Sequence, residues 1–577
     1  MTHLFDLQEK SDWKHIEKLK EDVRDALLIS NGDETLRTLE KLELIDALQR
    51  LGIDYLFKNE IERVLDGAFV NKVNSVLDND LHYKSLYFRL LRQHGYEEKS
   101  DWKQIEKLKD DVRDALLISN GDETLRTLEK LELIDALQRL GIDYLFKNEI
   151  ERVLDGAFEN KANSVLDNDL HYKSLYFRLL RQHGYEVSHD IFSVFKDERG
   201  NFKDGVCLDV KGMLSLYEAS HLGFEGEETM YKAMAFATKN LKLIHDDDGN
   251  IEQSLKEEVS HALELPLHWR MSRLDVRWQI DVHNVKYMAK YPSLLELAKL
   301  DFNMVQAIHQ KELAHMSRTY LTKIGNLIFI IDDIYDIYGS IDELELFTSA
   351  VERWEINAIE VLPDYMKICF LALYNTVNEM AYTTLKEQDY SALQHLNKAW
   401  ENFCRSMLVE AKWSKKNYMP TLEEYLANAW ISSSTPLVHV HAFFASKQKI
   451  TAEALDCLNS ESDLVYYSSI IFRLCNDLAT SSAEQERGDV PSAIQCHMCE
   501  TNATEKVARE KIRDIIKETW RKMNKSASDT PFSPSFVNII ENHARNAHCF
   551  YQHGDGISVQ DNVGKKRVQA LLVKPIV

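Results

Sequence analysis

Proline and glycine are scarce, nine and twenty in 577 residues. So little punctuation argues against a turn-rich architecture, because these two residues are the commonest local breakers of regular structure. A Lys/Arg-rich stripe is also missing, and the formal net charge is -23. That excludes nucleic acid and anionic lipid as partners, since neither phosphate backbone nor headgroup would be neutralised. A small anionic ligand would have to be held through bound cations. Long apolar runs are absent: stretches such as Leu327 to Ile331 stop far short of a membrane span. Met1 to Lys10 has neither the basic-then-apolar signature of a secretory signal nor the Arg- and Ser-rich look of a transit peptide, so the chain reads as cytoplasmic. Of eight cysteines only Cys496 and Cys499 form a Cys-x-x-Cys, with no second pair to complete a zinc site; scattered reduced thiols are the better reading.

What is present is helical periodicity. Apolar residues recur three and four apart, as at Leu133, Leu137, Leu140 and Tyr144. An all-α chain is the expected fold class, and the length fits two or three domains. Compared with itself, the chain shows a tandem duplication: Glu9 to Glu97 recurs as Glu98 to Glu186, differing only at His15/Gln104, Glu21/Asp110, Val70/Glu159 and Val73/Ala162. Evolved solenoid repeats drift until only packing positions match, so this is a different phenomenon. Each block reads as several amphipathic helices, with Glu40 to Leu51 the clearest, closed by a turn at His94 and Gly95. Two copies compete for one place in a fold; the second, continuous with Val187 onward, is expected to dock.

The sharpest chemical signal is the run Phe329-Ile-Ile-Asp332-Asp333-Ile-Tyr-Asp336-Ile-Tyr-Gly339. A spacing of four puts Asp332 and Asp336 on one helix face, with Asp333 beside them. Three neighbouring carboxylates repel one another, and a hard divalent cation such as Mg2+ relieves that while bridging to diphosphate oxygens. Asn476, Thr480 and Glu484 follow the same spacing on a later segment and also offer only oxygen ligands. Arg473 lies one turn before Asn476, where a guanidinium could grip a diphosphate bidentately. Each cluster alone also fits an ordinary polar helix face. Together they point to a trinuclear magnesium site, with Mn2+ as the substitute ion.

With these residues in place, the chain resembles the plant class I terpene synthases, in the angiosperm branch of monoterpene, isoprene and acyclic-terpene enzymes. The likeness runs from Lys107-Leu-Lys-Asp-Asp-Val through Phe177 to Tyr185 and Asp301-Phe-Asn-Met304, on to Tyr551-Gln-His-Gly-Asp555-Gly. It implies an N-terminal helical barrel and a C-terminal class I terpenoid synthase helical bundle. The boundaries are then 1–97 for an extra tandem copy, 98–265 for the N-terminal helical domain and 266–577 for the catalytic domain. The resemblance places Asp332, Asp333 and Asp336 on the first metal motif, Asn476, Thr480 and Glu484 on the second, and Arg473 on a diphosphate-binding arginine. Tyr551 and Asp555 fall on a C-terminal loop that closes over the site and relays a proton. Trp430 and Ser432 to Thr435 fall on a helix break that lines the pocket. The implied substrate is a prenyl diphosphate, geranyl diphosphate by branch. The implied reaction is magnesium-assisted loss of diphosphate, in a monomer or in a dimer swapped through the duplicated segment. Related monoterpene synthases are plastidic.

Three departures stand out. Only thirteen residues, Thr319 to Ile331, separate Arg318 from Asp332. Similar enzymes carry about two more helices there, with an Arg-Asp-Arg motif that grips the departing diphosphate; its loss would leave a hole in the bundle and impair ionisation. Ser492 stands where some relatives have lysine. No Arg-Arg pair occurs anywhere, which points to an acyclic product, the tandem-arginine motif being tied to cyclisation. A class II cyclase would need an Asp-x-Asp-Asp, which is absent; a chain-elongating prenyltransferase would need a second Asp-Asp-x-x-Asp, and the other match to that pattern, Asp110-Asp111-Val-Arg-Asp114, falls in the duplicated N-terminal segment. The rival of another class is a rearranged, catalytically inactive relative.

Overall fold

The computed structural model describes residues 18–27, 34–50, 54–70, 90, 96–117, 123–159, 168–246, 252–313, 320–446, 448–459, 462–487, 491–556 and 562–576. The turn at His94 and Gly95 and the junction from His315 to Arg318 lie outside them, as does the side chain of Glu484. Among the described residues the structure is helical with no strand, only an isolated bridge between Lys196 and Phe202.

The chain divides into two compact units, residues 1–111 and 112–577. In the first, α1 (Glu34–Arg50) and α2 (Lys58–Val70) close around Leu27, Leu42, Ile45, Leu48, Phe57, Ile61, Leu65 and Leu90. The counterparts of these eight in the second copy are Leu116, Leu131, Ile134, Leu137, Phe146, Ile150, Leu154 and Leu179, and every one is buried too. The same apolar stripe thus folds the same way twice. Each such side chain gains about 1.5–3 kcal/mol from burial, enough for local sequence to dictate local packing.

The second copy then buries a further face. On α4 (Glu123–Arg139), which follows α3 (Tyr96–Leu117), Leu133 and Ala136 are buried; their first-copy equivalents are a half-buried Leu44 and an exposed Ala47. This helix packs on α5 (Leu170–Gln182) and α6 (Ser272–Lys290). Gly141 allows the approach: its φ is +67°, and a Cβ there would lie 2.7 Å from Val276 Cγ2. Tyr144 follows, exposed over its ring, with its hydroxyl donating to the Asp301 carboxylate on α7 (Pro292–Leu313). Arg273 holds the same carboxylate at 2.9 Å. The second copy is therefore built into the unit that carries the metal motifs.

Farther along, α12 (Thr435–Ala445) is surrounded by α8 (Tyr320–Asp333), α9 (Asp364–Gln388), α10 (Leu393–Lys416), α11 (Leu422–Ser432), α13 (Asp463–Arg487) and α16 (Pro534–Tyr551). A helix enclosed on all sides should be apolar all round. Leu437, Ala442, Phe443 and Phe444 are buried accordingly, and so are Thr435, His439 and His441. Around α13 also stand α14 (Ala493–Thr501) and α15 (Glu505–Ser528). All eight cysteines are free; Cys496 is buried and Cys499 exposed on α14.

Candidate active site

The acidic run sits at the C-terminal end of α8. Ile324, Leu327, Ile328 and Ile331 form the buried face of that helix, which continues into Ile334 and Tyr335. From Ile334 to Tyr338 the chain widens into a π turn, a local feature often found at functional sites. Tyr335 pins it, with its hydroxyl 2.6 Å from Thr348 Oγ1. The Thr348 hydrogen is already donated to the Leu344 carbonyl at 2.7 Å, so the tyrosine donates to the threonine. Burial pushes the phenol pKa far up, which keeps that donor protonated. Gly339 ends the turn: a Cβ would fall 2.4 Å from Leu344 Cδ2 and 2.8 Å from the Ile334 oxygen. Ser340 and Glu343 then cap the next helix reciprocally.

This framework leaves Asp332 half-buried and Asp333 and Asp336 exposed, away from the apolar core. The placement has an electrostatic meaning. A helix C-terminus carries partial negative charge, so acidic side chains gathered there are disfavoured unless a cation joins them.

The second set lies on α13. Asn476 is half-buried and Thr480 buried. The Thr480 hydroxyl donates to the Asn476 carbonyl at 3.0 Å, which leaves the hydroxyl lone pairs as acceptors. Glu484 falls on the same helix. Both α8 and α13 pack on α12, which places the two sets on walls flanking one central helix. Among the described residues no three His, Cys, Asp or Glu side chains converge to hold an ion. Oxygens make up the whole donor set of Asp332, Asp333, Asp336, Asn476 and Thr480, and that fits Mg2+.

Arg473, Asn476, Tyr551 and Asp555 are brought together. Tyr551 ends α16, lies close to the Asn476 side chain, and meets Phe472 edge-on at 5.7 Å. Burial and the nearby Asp555 charge raise its pKa, so the phenol stays protonated. The loop beyond turns tightly, with the Gly556 amide donating to the Phe550 oxygen at 3.1 Å. A Cβ on Gly556 would lie 2.4 Å from that oxygen. Gly556→Ala must open this turn, with an expected loss of about 1–3 kcal/mol in urea unfolding. An unchanged midpoint would show that the turn does not hold Asp555 in place.

Arg473 is gripped from one side. Its Nε donates to Tyr425 Oη at 2.7 Å and to Asp477 Oδ1 at 3.0 Å. Sequence reading missed Tyr425, Asp477 and Glu410, which come from three different helices; only the α13 spacing of Arg473 and Asp477 gave any local signal. The expected helix break is present. α11 ends at Ser432, Ser434 adopts φ +61°, and α12 restarts at Thr435, with Trp430 buried beside Tyr466. Ser492 has a structural task, capping α14 reciprocally with Gln495.

Comparison with known proteins agrees with this architecture. The model of the terpene synthase N-terminal domain matches twice, over residues 2–102 and 97–263, and that of the terpene synthase metal binding domain matches residues 295–522. A chloroplastic alpha-thujene synthase of Litsea cubeba is 47% identical over 522 residues, covering 84% of this chain and 88% of that protein. A chloroplastic myrcene synthase of Quercus ilex is 47% identical over 515 residues, 82% of this chain and 85% of its own. Among solved structures, isoprene synthase from grey poplar leaves (Populus x canescens), in complex with three Mg2+ ions and dimethylallyl-S-thiolodiphosphate, superposes with a TM-score of 0.77 at 41% identity. That match spans 84% of this chain and 98% of the poplar chain. The chain belongs to the terpene synthase family.

Proposed function

We propose that the chain is a magnesium-dependent monoterpene synthase that ionises geranyl diphosphate and releases an acyclic monoterpene and diphosphate. The observation that carries the reading is the pair of oxygen-donor faces on α8 and α13, the first set at the wrong end of a helix dipole for carboxylates alone. Asp332, Asp333 and Asp336 on one side and Asn476, Thr480 and Glu484 on the other would hold three Mg2+, or Mn2+ in its place. When bound, the metal supplies Lewis acidity toward the leaving diphosphate oxygens. Arg473 binds and orients the diphosphate from the α13 side. The apolar walls keep water from the carbocation. Tyr551 relays the proton that the cation loses: its phenol oxygen takes that proton while its own hydroxyl proton passes to the Asp555 carboxylate, so the phenol ends protonated.

The missing Arg-Arg pair supports an acyclic product, whereas the relatives divide between a cyclic product, thujene, and an acyclic one, myrcene. Farnesyl diphosphate with a sesquiterpene product, or isoprene formation, is the neighbouring assignment. A second reading, an inactive relative, is favoured by the exposure of Leu321, Phe329 and Ile330 on the outer flank of α8, where similar enzymes carry further helices. The chain acts as a monomer, the swapped dimer being the other arrangement.

The test is incubation of the purified chain with Mg2+ and geranyl, farnesyl or dimethylallyl diphosphate, with products read by gas chromatography. A ten-carbon acyclic product from geranyl diphosphate is expected. A cyclic product removes the acyclic assignment, and a product from another substrate changes the substrate class. No product from folded protein favours the second reading.

A further inference from the structure

Asp477 is fully buried and acidic, yet it faces inward on α13 rather than toward the metal-ligand set. Its carboxylate accepts from the Tyr425 hydroxyl at 2.9 and 3.1 Å, from Arg473 Nε at 3.0 Å, and from the Ala493 amide at 2.8 Å. That amide belongs to the first turn of α14, where the helix dipole favours a negative charge. Tyr425 has one hydroxyl hydrogen, and a carboxylate can only accept, so this hydrogen goes to Asp477. The phenol oxygen then accepts from Arg473 Nε at 2.7 Å. The guanidinium also lies 5.3 Å from the centre of the Tyr425 ring. On the far side, Glu410 Oε2 stands 3.8 Å from Arg473 Nη1, and Glu410 itself accepts from Ser432 Oγ and from Asn428 Nδ2 at 3.2 Å.

We infer that Tyr425 is a positioning residue: with Asp477 it takes the Nε edge of Arg473 and so fixes which way the Nη groups point toward a diphosphate. A guanidinium held by Nε, with a ring against its face, has lost most of its rotational freedom before any ligand arrives. Its Nη groups, of which Nη1 is also approached by Glu410 at 3.8 Å, then meet phosphate oxygens in a preset orientation. Tyr425 reaches Arg473 from α11, directly before the helix break, and Glu410 ties the same arginine to Ser432 in that break. The orientation of the diphosphate grip is thus set by the same elements that shape the pocket wall. The inference rests on the assignment of Arg473 to the diphosphate.

Titration calorimetry with inorganic diphosphate at saturating Mg2+ reads this without turnover, on full-length wild type, Arg473→Ala, Arg473→Lys and Tyr425→Phe. Tyr425→Phe keeps the ring and removes only the hydroxyl bridge, and its Kd is expected to rise about tenfold. Arg473→Lys keeps the charge without the Nε contact and is expected to bind nearly as weakly as Arg473→Ala. Melting without ligand, measured alongside, separates the two roles, because a purely structural tyrosine would lower the midpoint and leave Kd unchanged. Wild-type affinity in Tyr425→Phe, or in Arg473→Lys if the tyrosine variant does not fold, overturns the positioning role. No diphosphate binding by wild type, or an Arg473→Ala variant that binds like it, overturns the diphosphate assignment itself.

Discussion

Between pH 7 and pH 5 the larger unit is expected to unfold. His221, His268, His439 and His441 are buried. Burial pushes the pKa of His221, His268 and His441 down to about 3 and that of His439 far below its ordinary value; the Arg545 charge adds to the shift at His268. The sign follows from where the proton binds. The folded state refuses it, while the unfolded chain takes it up below its own pKa near 6.5. Stability is therefore full above about pH 6.5 and falls steadily as the pH drops toward the folded values. At pH 5 each of the three imidazoles lowered to about 3 favours unfolding by about 2 kcal/mol, and the three together by about 6 kcal/mol, comparable with a domain's entire stability; His439 acts in the same direction. Asp275, held down to about 2, acts only below the ordinary carboxylate range and offsets none of this. Far-UV circular dichroism at 25 °C should show the helical signal collapsing between pH 6 and 5. His441→Asn, which keeps a polar atom opposite the Tyr320 hydroxyl now 2.6 Å from Nδ1, should move the midpoint to lower pH. Full helicity at pH 5 would mean that these rings are not the ones that govern folding.

Asp332→Ala should lower turnover by about 10²–10³-fold, the scale lost when one preorganised electrostatic partner of a transition state is removed. Because Asp332 is only half-buried at the end of α8, its loss leaves the apolar face of that helix intact, and melting in EDTA should match wild type. The added stability conferred by Mg2+, which follows mass action on the folded state, should shrink in the variant. Equal Mg2+-dependent stabilisation of both proteins would remove Asp332 from the metal set, whatever the activity showed.

Much of this was legible because the determining forces are local. A four-residue spacing places Asn476 with Thr480 on one side of α13, whereas the same spacing at Asp332 and Asp336 runs through the π turn, which the pattern of the sequence does not announce. The duplicated apolar stripe is buried in both units for the same reason: Leu42 packs on neighbours from its own block, and its counterpart Leu131 is buried likewise. The Ser432 to Thr435 break announced itself by four consecutive small polar residues within an apolar run. The grip on Arg473 was not legible, because Tyr425, Glu410 and Asp477 are separated by up to 67 residues along the chain and meet only when α10, α11 and α13 pack.

By itself, then, the sequence determined an all-helical chain with two clusters of oxygen-donor side chains and two equivalent copies of one helical segment, because helix periodicity and side-chain donor type are properties of short stretches. Tertiary structure alone decided which copy carries the buried Leu133 and Ala136 face, how the π turn presents the aspartates, and which buried groups hold the arginine. Those outcomes depend on contacts between distant segments, where burial converts an ordinary tyrosine or carboxylate into a fixed partner that no local pattern specifies.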